Sequence, residues 1–342
     1  MGMGSSNKRC KFWLWVLPIL FVATFATSAS AQGLFGLGLP SFNPFSAEPY
    51  SCAPNKSVCG PLTFYVGWAD DRKGTTLSAD LRRQNLGPFG DDLGSIRNSY
   101  GLRGVWLGVA AQPNLIDRVG LLADFWILIP SNRSSDENFS VTEGFSGGKT
   151  WGTNTDWWFV DGALSYDICG LGKLIGGFRY DRFATNFKDP GNFSGALGTP
   201  SDTGDVTINC YIPFVGLQAD LGSPGVNELM FRVIGFPWVG GDVKYHDSIG
   251  NFAVLEQDRI ELSQGVNKGY FLEAFAEYGR TVYGSGRIGV FGRWNIIHGN
   301  AKRIDISDVL AGIPAVGGYQ FAFDRQSWTF GGSFSLAFTT PW

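Results

Sequence analysis

From Ser327 to Trp342 the large side chains fall on every second residue. In SWTFGGSFSLAFTTPW the even positions carry Trp328, Phe330, Phe334, Leu336, Phe338 and Trp342, and the odd ones Thr329, Gly331, Ser333, Ser335, Ala337 and Thr339. A period of two is the signature of a strand with unlike faces. On a soluble core the greasy face would be buried and the polar face wet. In a membrane barrel the greasy face meets lipid and the polar one a lumen. The rest of the chain decides between them.

The amino-terminal end sets the compartment. Lys8, Arg9 and Lys11 precede an apolar stretch from Phe12 to Ala26, followed by TSASA and Gln32. This is the layout of a cleavable secretory signal, 1–31, cut after Ala31. Its apolar stretch, about 15 residues, is shorter than the roughly 20 that a helical span requires. Cys10 leaves with this peptide. No later apolar run reaches helical-span length, whereas 28 Phe, 12 Trp, 11 Tyr and 48 Gly point to an all-β chain. The 27 Lys and Arg, three of them in the signal, face 30 Asp and Glu, so no nucleic-acid partner is expected.

Residues 32–61, rich in Gly, Pro and Phe and lacking any period, read as an irregular periplasmic lead-in, and 62–342 as the barrel. Leu62, Phe64, Val66 and Trp68 form one apolar face, continued by Leu102, Trp106 and Ala110. Val119, Leu121, Ala123, Phe125, Ile127 and Ile129 follow, then Trp158, Val160, Leu164, Tyr166 and Ile168. Further runs lie around Val215–Leu221, Leu229–Val233, Tyr270–Tyr278 and Ile288–Ile296. With FRYDRF and the terminal run the count is ten strands. Short connections at 111–117, 169–173, 222–226 and 280–285 alternate with long ones at about 70–96, 131–150, 188–204, 238–263 and 301–320. That alternation, an even count and both ends on the short side predict a transmembrane antiparallel up-and-down β-barrel with long extracellular loops. Its place is the bacterial outer membrane and its first partner is outer-membrane lipid. The terminal strand ending at Trp342 resembles the signature read by the barrel-assembly machinery.

Cys52 and Cys59, seven residues apart across a Pro-Asn turn, are expected to form a disulfide in an oxidising compartment. Cys169 and Cys210 are expected to stay free thiols. The inward parity carries charge of both signs: Glu273 and Glu277 with Arg287 and Arg293, Asp161 with Arg179 and Asp181, and Asp220 with Glu228 and Arg232. Such sets could line an ion path or supply catalytic carboxylates. Salt bridges that fill and stiffen a narrow bore are the preferred reading, because a small lumen must pair its charges.

Several stretches, among them TDWWFVDGALSYDI, FRYDRFATNF, CYIPFVGLQADL, FPWVGGDVKYHD and NKGYFLEAFAEYGRTVYGSGRIGVFGRWN, resemble the omptin family of outer-membrane proteases. The resemblance covers roughly Thr155 to Asn295 and implies a ten-strand barrel. It also implies an Asp-x-His pair in the fourth outer loop and an Asp-x-Asp pair in the second, flanking an activated water. Here His246 stands in GDVKYHDS, but Lys244 occupies the aspartate's place, with Asp242 and Asp247 off the required spacing. The second loop offers Asp136, Glu137 and Glu143. Since neither pair is intact, His246, Asp242 and Asp136 are weak catalytic candidates. His298, in line with Trp294 and Ile296, suits a snorkelling role. Asp70, Asp71, Asp91 and Asp92 with Arg72, Lys73, Arg82 and Arg83 suit a self-paired loop. No metal set, cofactor or GxSxG signature is expected. The reading is a closed or narrow barrel serving as a surface-binding or envelope-structural scaffold. A narrow channel for small polar solutes or ions, and an omptin-like protease with an altered site, are its alternatives; no sequence feature identifies an extracellular ligand.

Overall fold

The computed structural model describes residues 57–83, 92–116, 118–130, 133–141, 145–168, 172–188, 203–223, 227–250, 257–283, 286–301, 304–306 and 317–341. The signal, most of the lead-in, and Cys52 lie outside the described residues. So do Cys169 and Trp342, and also the side chain of Cys59, so the disulfide does too. Fourteen strands among the described residues form one antiparallel sheet that crosses ten times and closes on itself. In chain order the crossings are β1 (Ser57–Arg83); β2 (Asp92–Ala111); β4 (Val119–Pro130) with β5 (Arg133–Val141); β6 (Phe145–Asp167); β7 (Lys173–Lys188); and β8 (Thr203–Ser223). They continue with β9 (Asn227–Phe236) and β10 (Gly240–Gly250); β11 (Gln257–Tyr283); β12 (Gly286–Ala301) with β13 (Ile304–Ile306); and β14 (Gly317–Pro341). The three-residue β3 (Asn114–Ile116) lies in the turn between β2 and β4. The closing seam pairs β1 with β14, Leu62 opposite Leu336 and Trp68 opposite Phe330, leaving no edge there.

Two expectations about extent change. Ser57–Pro61, assigned above to the lead-in, is strand and pairs with Ala337–Pro341. Much of what reads as long loop is also wall: β5 occupies 133–141, β10 runs to Gly250 and β1 to Arg83. At 27 residues, β1 and β11 far exceed the roughly 9–11 that one tilted crossing needs.

The wall therefore has two tiers, and its polarity inverts between them. Near the short turns the outward side chains are apolar: Phe64 and Val66 on β1, Leu174 and Phe178 on β7, Val215 on β8, Ile288 and Val290 on β12, and Phe334 and Leu336 on β14. Aromatic rings top this band. Trp158, Tyr180 and Tyr211 touch in series at 5.2 Å between centroids, and Trp294 meets Trp328 at 5.8 Å. Two to four residues further along, the outward positions turn polar on five of the described strands: Arg182 on β7, Asn209 and Asp205 on β8, Lys268 on β11, His298 and Asn300 on β12, Asp324 on β14. The interior changes in the opposite sense. Thr63, Gln218, Asn295, Ser333 and Ser335 face the lumen of the lower tier, and Leu77, Val206, Ile208, Val243, Phe321 and Phe323 that of the upper. The lower tier is built for lipid outside, the upper for water outside and a dry interior.

Strand irregularities cluster at the boundary. β1 slips against β14 between Trp68 and Thr75, β9 gives way to β10 across Pro237–Val239, and β11 bulges between Val266 and Lys268. Such bulges absorb extra residues and re-aim side chains. Gly241 sits just past one of them with φ of +150°, where a side chain would meet the Asn209 carbonyl.

On β2 the assignment of faces changes too. Trp106 and Ala110, placed above with the lipid-facing series, point inward, while Val105, Leu107 and Val109 face out. Gly108 explains the inward choice: the Trp126 ring lies across it, where a Cβ would stand 2.6 Å from the indole. The lumen is therefore filled with rings as well as small polar residues. Trp106, Trp126, Trp157, Phe159, Phe275 and Phe291 are all buried inside.

The tiers predict opposite tolerances. Val290→Arg on the lower outer face should cost about 2–4 kcal/mol. Thr207→Arg on the upper outer face should stay within about 0.5 kcal/mol. Denaturant-unfolding curves in lipid vesicles measure both.

Candidate functional site

The buried charges sit on inward positions of the transmembrane strands, where alternation forces every second residue into the bore. They meet in one hub. Arg179 on β7 donates Nε and Nη2 to its cross-strand neighbour Asp161 at 2.6 and 2.5 Å, and its Nη2 lies 2.8 Å from Glu273 on β11. Arg293 on β12 gives Nε to Glu273 Oε2 at 3.0 Å and adds a second, shorter contact through Nη2. Arg232 on β9 reaches Asp124 on β4 at 2.8 Å and Glu273 at 3.4 Å. Glu273 thus takes three guanidinium groups, and three arginines face the three carboxylates Asp124, Asp161 and Glu273. Rings complete the packing: Phe159 lies between Arg179 at 4.4 Å and Arg293 at 4.0 Å.

Several of these pairs cross the bore. β7 is the fifth crossing and β14 the tenth, on opposite sides of a ten-crossing barrel. Arg325 of β14 nevertheless bonds Asp181 of β7, which also receives Trp157 Nε1 at 3.1 Å. Arg232 to Asp124 links the seventh crossing to the third, and Arg179 to Glu273 the fifth to the eighth. The side chains of Arg179, Asp161, Glu273, Arg325 and Asp181 are all at 0% exposure. Nearer the short turns, Glu277 accepts from Tyr65 at 2.9 Å and Ser333 at 2.8 Å and has Arg287 at 3.4 Å.

The groups read from the sequence are regrouped by this geometry. Glu273 meets Arg293, Glu277 meets Arg287, and Arg179 meets Asp161. Asp181 instead joins Arg325, a residue not singled out above. The set of Asp220, Glu228 and Arg232 does not assemble. Arg232 goes to the hub, Asp220 to Lys173 at 3.2 Å and Gln218 at 3.0 Å, and Glu228 to Arg287 at 3.4 Å. Arg325 was within reach of the parity argument, two residues before Ser327 on the same face. Asp124 was also visible, as the one charge among the inward positions of β4. Their partners were not, because those lie across the bore.

The weak catalytic candidates are not brought together. His246 is on the outer face of β10, its Nδ1 2.9 Å from Asp205 Oδ1 on β8. Asp242, four residues back on the same face, accepts from Asn209 Nδ2 at 3.0 Å, and Asn209 accepts from the Tyr180 hydroxyl at 3.1 Å. Asp136 is on β5, with β6, β7 and β8 between it and β10; its side chain lies outside the described residues, as do those of Glu137, Glu143 and Asp247. His298 makes the second outward His–Asp pair, with Asp324 at 2.5 Å, and stacks on Tyr270 at 5.2 Å. Cys210 is a buried free thiol.

A hub of this kind predicts a large single-site loss and a small paired one. Arg232→Met alone strands Asp124 and should cost about 3–5 kcal/mol, whereas Arg232→Met with Asp124→Leu should recover most of it. Equilibrium unfolding of both variants in detergent micelles measures the difference.

No protein-family profile matches the chain, and no curated protein sequence does. Among solved structures it is similar to the outer membrane protease OmpT from Escherichia coli, with a TM-score of 0.56 at 12% identity, covering 86% of this chain and 100% of that one. The translocator domain of autotransporter NalP from Neisseria meningitidis (TM-score 0.34, 8% identity, 78% and 88% covered) and OprG from Pseudomonas aeruginosa (0.31, 11%, 83% and 98%) are more distant. At 12% identity the likeness to OmpT is one of fold: the chain has an omptin-like ten-strand β-barrel architecture.

Proposed function

We propose that the protein is an integral barrel of the bacterial outer membrane with a sealed lumen. In this reading it acts without catalysis, as a scaffold that holds the strand-built upper tier on the cell surface for binding or envelope structure. The observation that carries the reading is the bracing of the bore. Arg325 to Asp181, Arg232 to Asp124 and Arg179 to Glu273 run from wall to wall, with rings stacked on the guanidinium groups. An ion entering this level would have to break pairs that are already neutral and shielded from water, at a cost of several kcal/mol. The dry interior of the upper tier adds a second, apolar seal. The positions of His246 and Asp242 on the outer face of β10, with β6, β7 and β8 between them and Asp136 on β5, also favour a non-enzymatic role.

Planar-bilayer recording of the refolded full chain tests the reading. The wild-type protein should give no steady open level. Replacing Arg325, Asp181, Arg232 and Asp124 together by serine should produce discrete open steps. A steady conductance from the wild-type barrel would refute the sealed lumen.

A further inference from the structure

In the upper tier the seam between β11 and β14 is joined by a side chain. β11 pairs with β12 as far as Val266 opposite Ala301, and β12 pairs with β14 as far as Asn300 opposite Ala322. Beyond that level β13 stays with β14, Ile304 opposite Tyr319, and among the described residues it makes no pair with β11. The next rung of the ladder would have set Ala301 against Phe321. Instead the Phe321 N–H donates to Gln264 Oε1 of β11 at 3.2 Å, with Gln264 2% exposed. A backbone amide within a sheet ordinarily goes to the carbonyl of the next strand, so this bond marks where β12 leaves the space between β11 and β14. Beside it the Tyr245 ring of β10 lies 6.2 Å from that of Phe321, centroid to centroid.

The hairpin of β10 and β11 therefore has a laddered side, a latched side and a bend at the foot of each leg. β10 is laddered to β8 from Gly240 opposite Tyr211 to Asp247 opposite Gly204, and Asn209 to Asp242 and His246 to Asp205 add side-chain bonds along the same line. Its two strands pair with each other from Gly241 with Val266 to Gly250 with Gln257, so they move as one piece. Gly241, with φ of +150°, stands at the foot of β10. At the foot of β11 the bulge between Val266 and Lys268 leads into Gly269, with φ of +159°, where a side chain would meet the His298 carbonyl at 2.0 Å. Backbone that already departs from the strand conformation at both feet can absorb a rotation that a regular ladder resists.

We propose that this hairpin is a hinged side panel of the upper tier, latched to β14 through Gln264 and Phe321, which swings outward about Gly241 and Gly269. The opening uncovers Val243, Tyr245 and Val266 on the panel and Phe321 and Phe323 behind it, all buried when the latch is closed. The arginine hub around Glu273 lies below the bends and keeps its partners, so the lumen stays sealed while the panel moves.

The test is maleimide labelling of the refolded full chain in lipid nanodiscs, read by mass spectrometry, with the native cysteines replaced by alanine. Val243→Cys reports the inner face of the panel, and Ala163→Cys, inward in the lower tier, reports unfolding of the whole barrel. Val243→Cys should react faster than Ala163→Cys, and adding Gln264→Ala should speed it about fivefold, the worth of one buried hydrogen bond, while Ala163→Cys is unchanged. Equal rates at the two sites, or no response to Gln264→Ala, would overturn the proposal. Amide hydrogen exchange of the wild-type chain needs no variant to fold. Ser263–Val266 and Tyr319–Phe321 should exchange faster than Val206–Cys210, a stretch of the same tier laddered to β7 and β10 on its two sides. Equal protection of the three stretches would also overturn it.

Discussion

Charges that span the bore are the constraint on which the rest of this barrel depends. A ten-crossing wall leaves a lumen too narrow for bulk water yet lined by every second residue of every strand. Any ionisable residue placed there must find its opposite within side-chain reach or carry the cost of an unpaired buried charge. Glu273 resolves this for three arginines from three different crossings, and Asp181 for a fourth from the far wall. The same pairs tie together strands that face each other across the interior, which the backbone ladder does not link directly. Planar guanidinium groups suit this work because their faces also stack on Phe159, Trp126 and Trp157 while their edges bond carboxylates.

Above the braces the same strands follow the opposite rule. β8 carries both rules within 21 residues: Val215, Leu217 and Ala219 look outward near the short turn, while Val206, Ile208 and Ile212 look inward further up. The exchange happens where the aromatic rings end. It needs no special residue on most strands, only a swap of which parity carries the apolar side chains. On the crossings formed by β9–β10 and by β11 the bulges reverse the parity itself. Inward positions pass from Glu273 and Phe271 to Val266 and Gln264 across the irregularity at Asn267.

This explains what could be read in the chain and what could not. The lipid-facing runs were legible because they are long, regular and uniformly apolar on one face; β14 alone announces the solvent. The upper wall has the look of loops in the sequence, although TGDVTINCY alternates as cleanly as the terminal run. Its apolar residues fall on the parity that is polar lower down, and its outward face resembles loop composition. The face of Trp106 is hidden in the sequence because Gly104 and Gly108 share its parity and supply no contrast. The charges were legible as inward residues and as neighbours along a hairpin, as with Glu273 and Arg293. Their partners across the bore were not, since Arg325 and Asp181 are 144 residues apart and meet only once the sheet has closed.

The polarity inversion also sets a waterline. A barrel with one outward pattern along its full height could ride higher or lower in a bilayer at little cost. Here an upward shift of one residue pair would lift apolar band into water, and a downward one would drag Arg182, Lys268 and the His298–Asp324 pair into hydrocarbon. The strands thus register the protein against the membrane as closely as they register against one another. Any surface carried on the upper tier stands at a fixed height above the lipid.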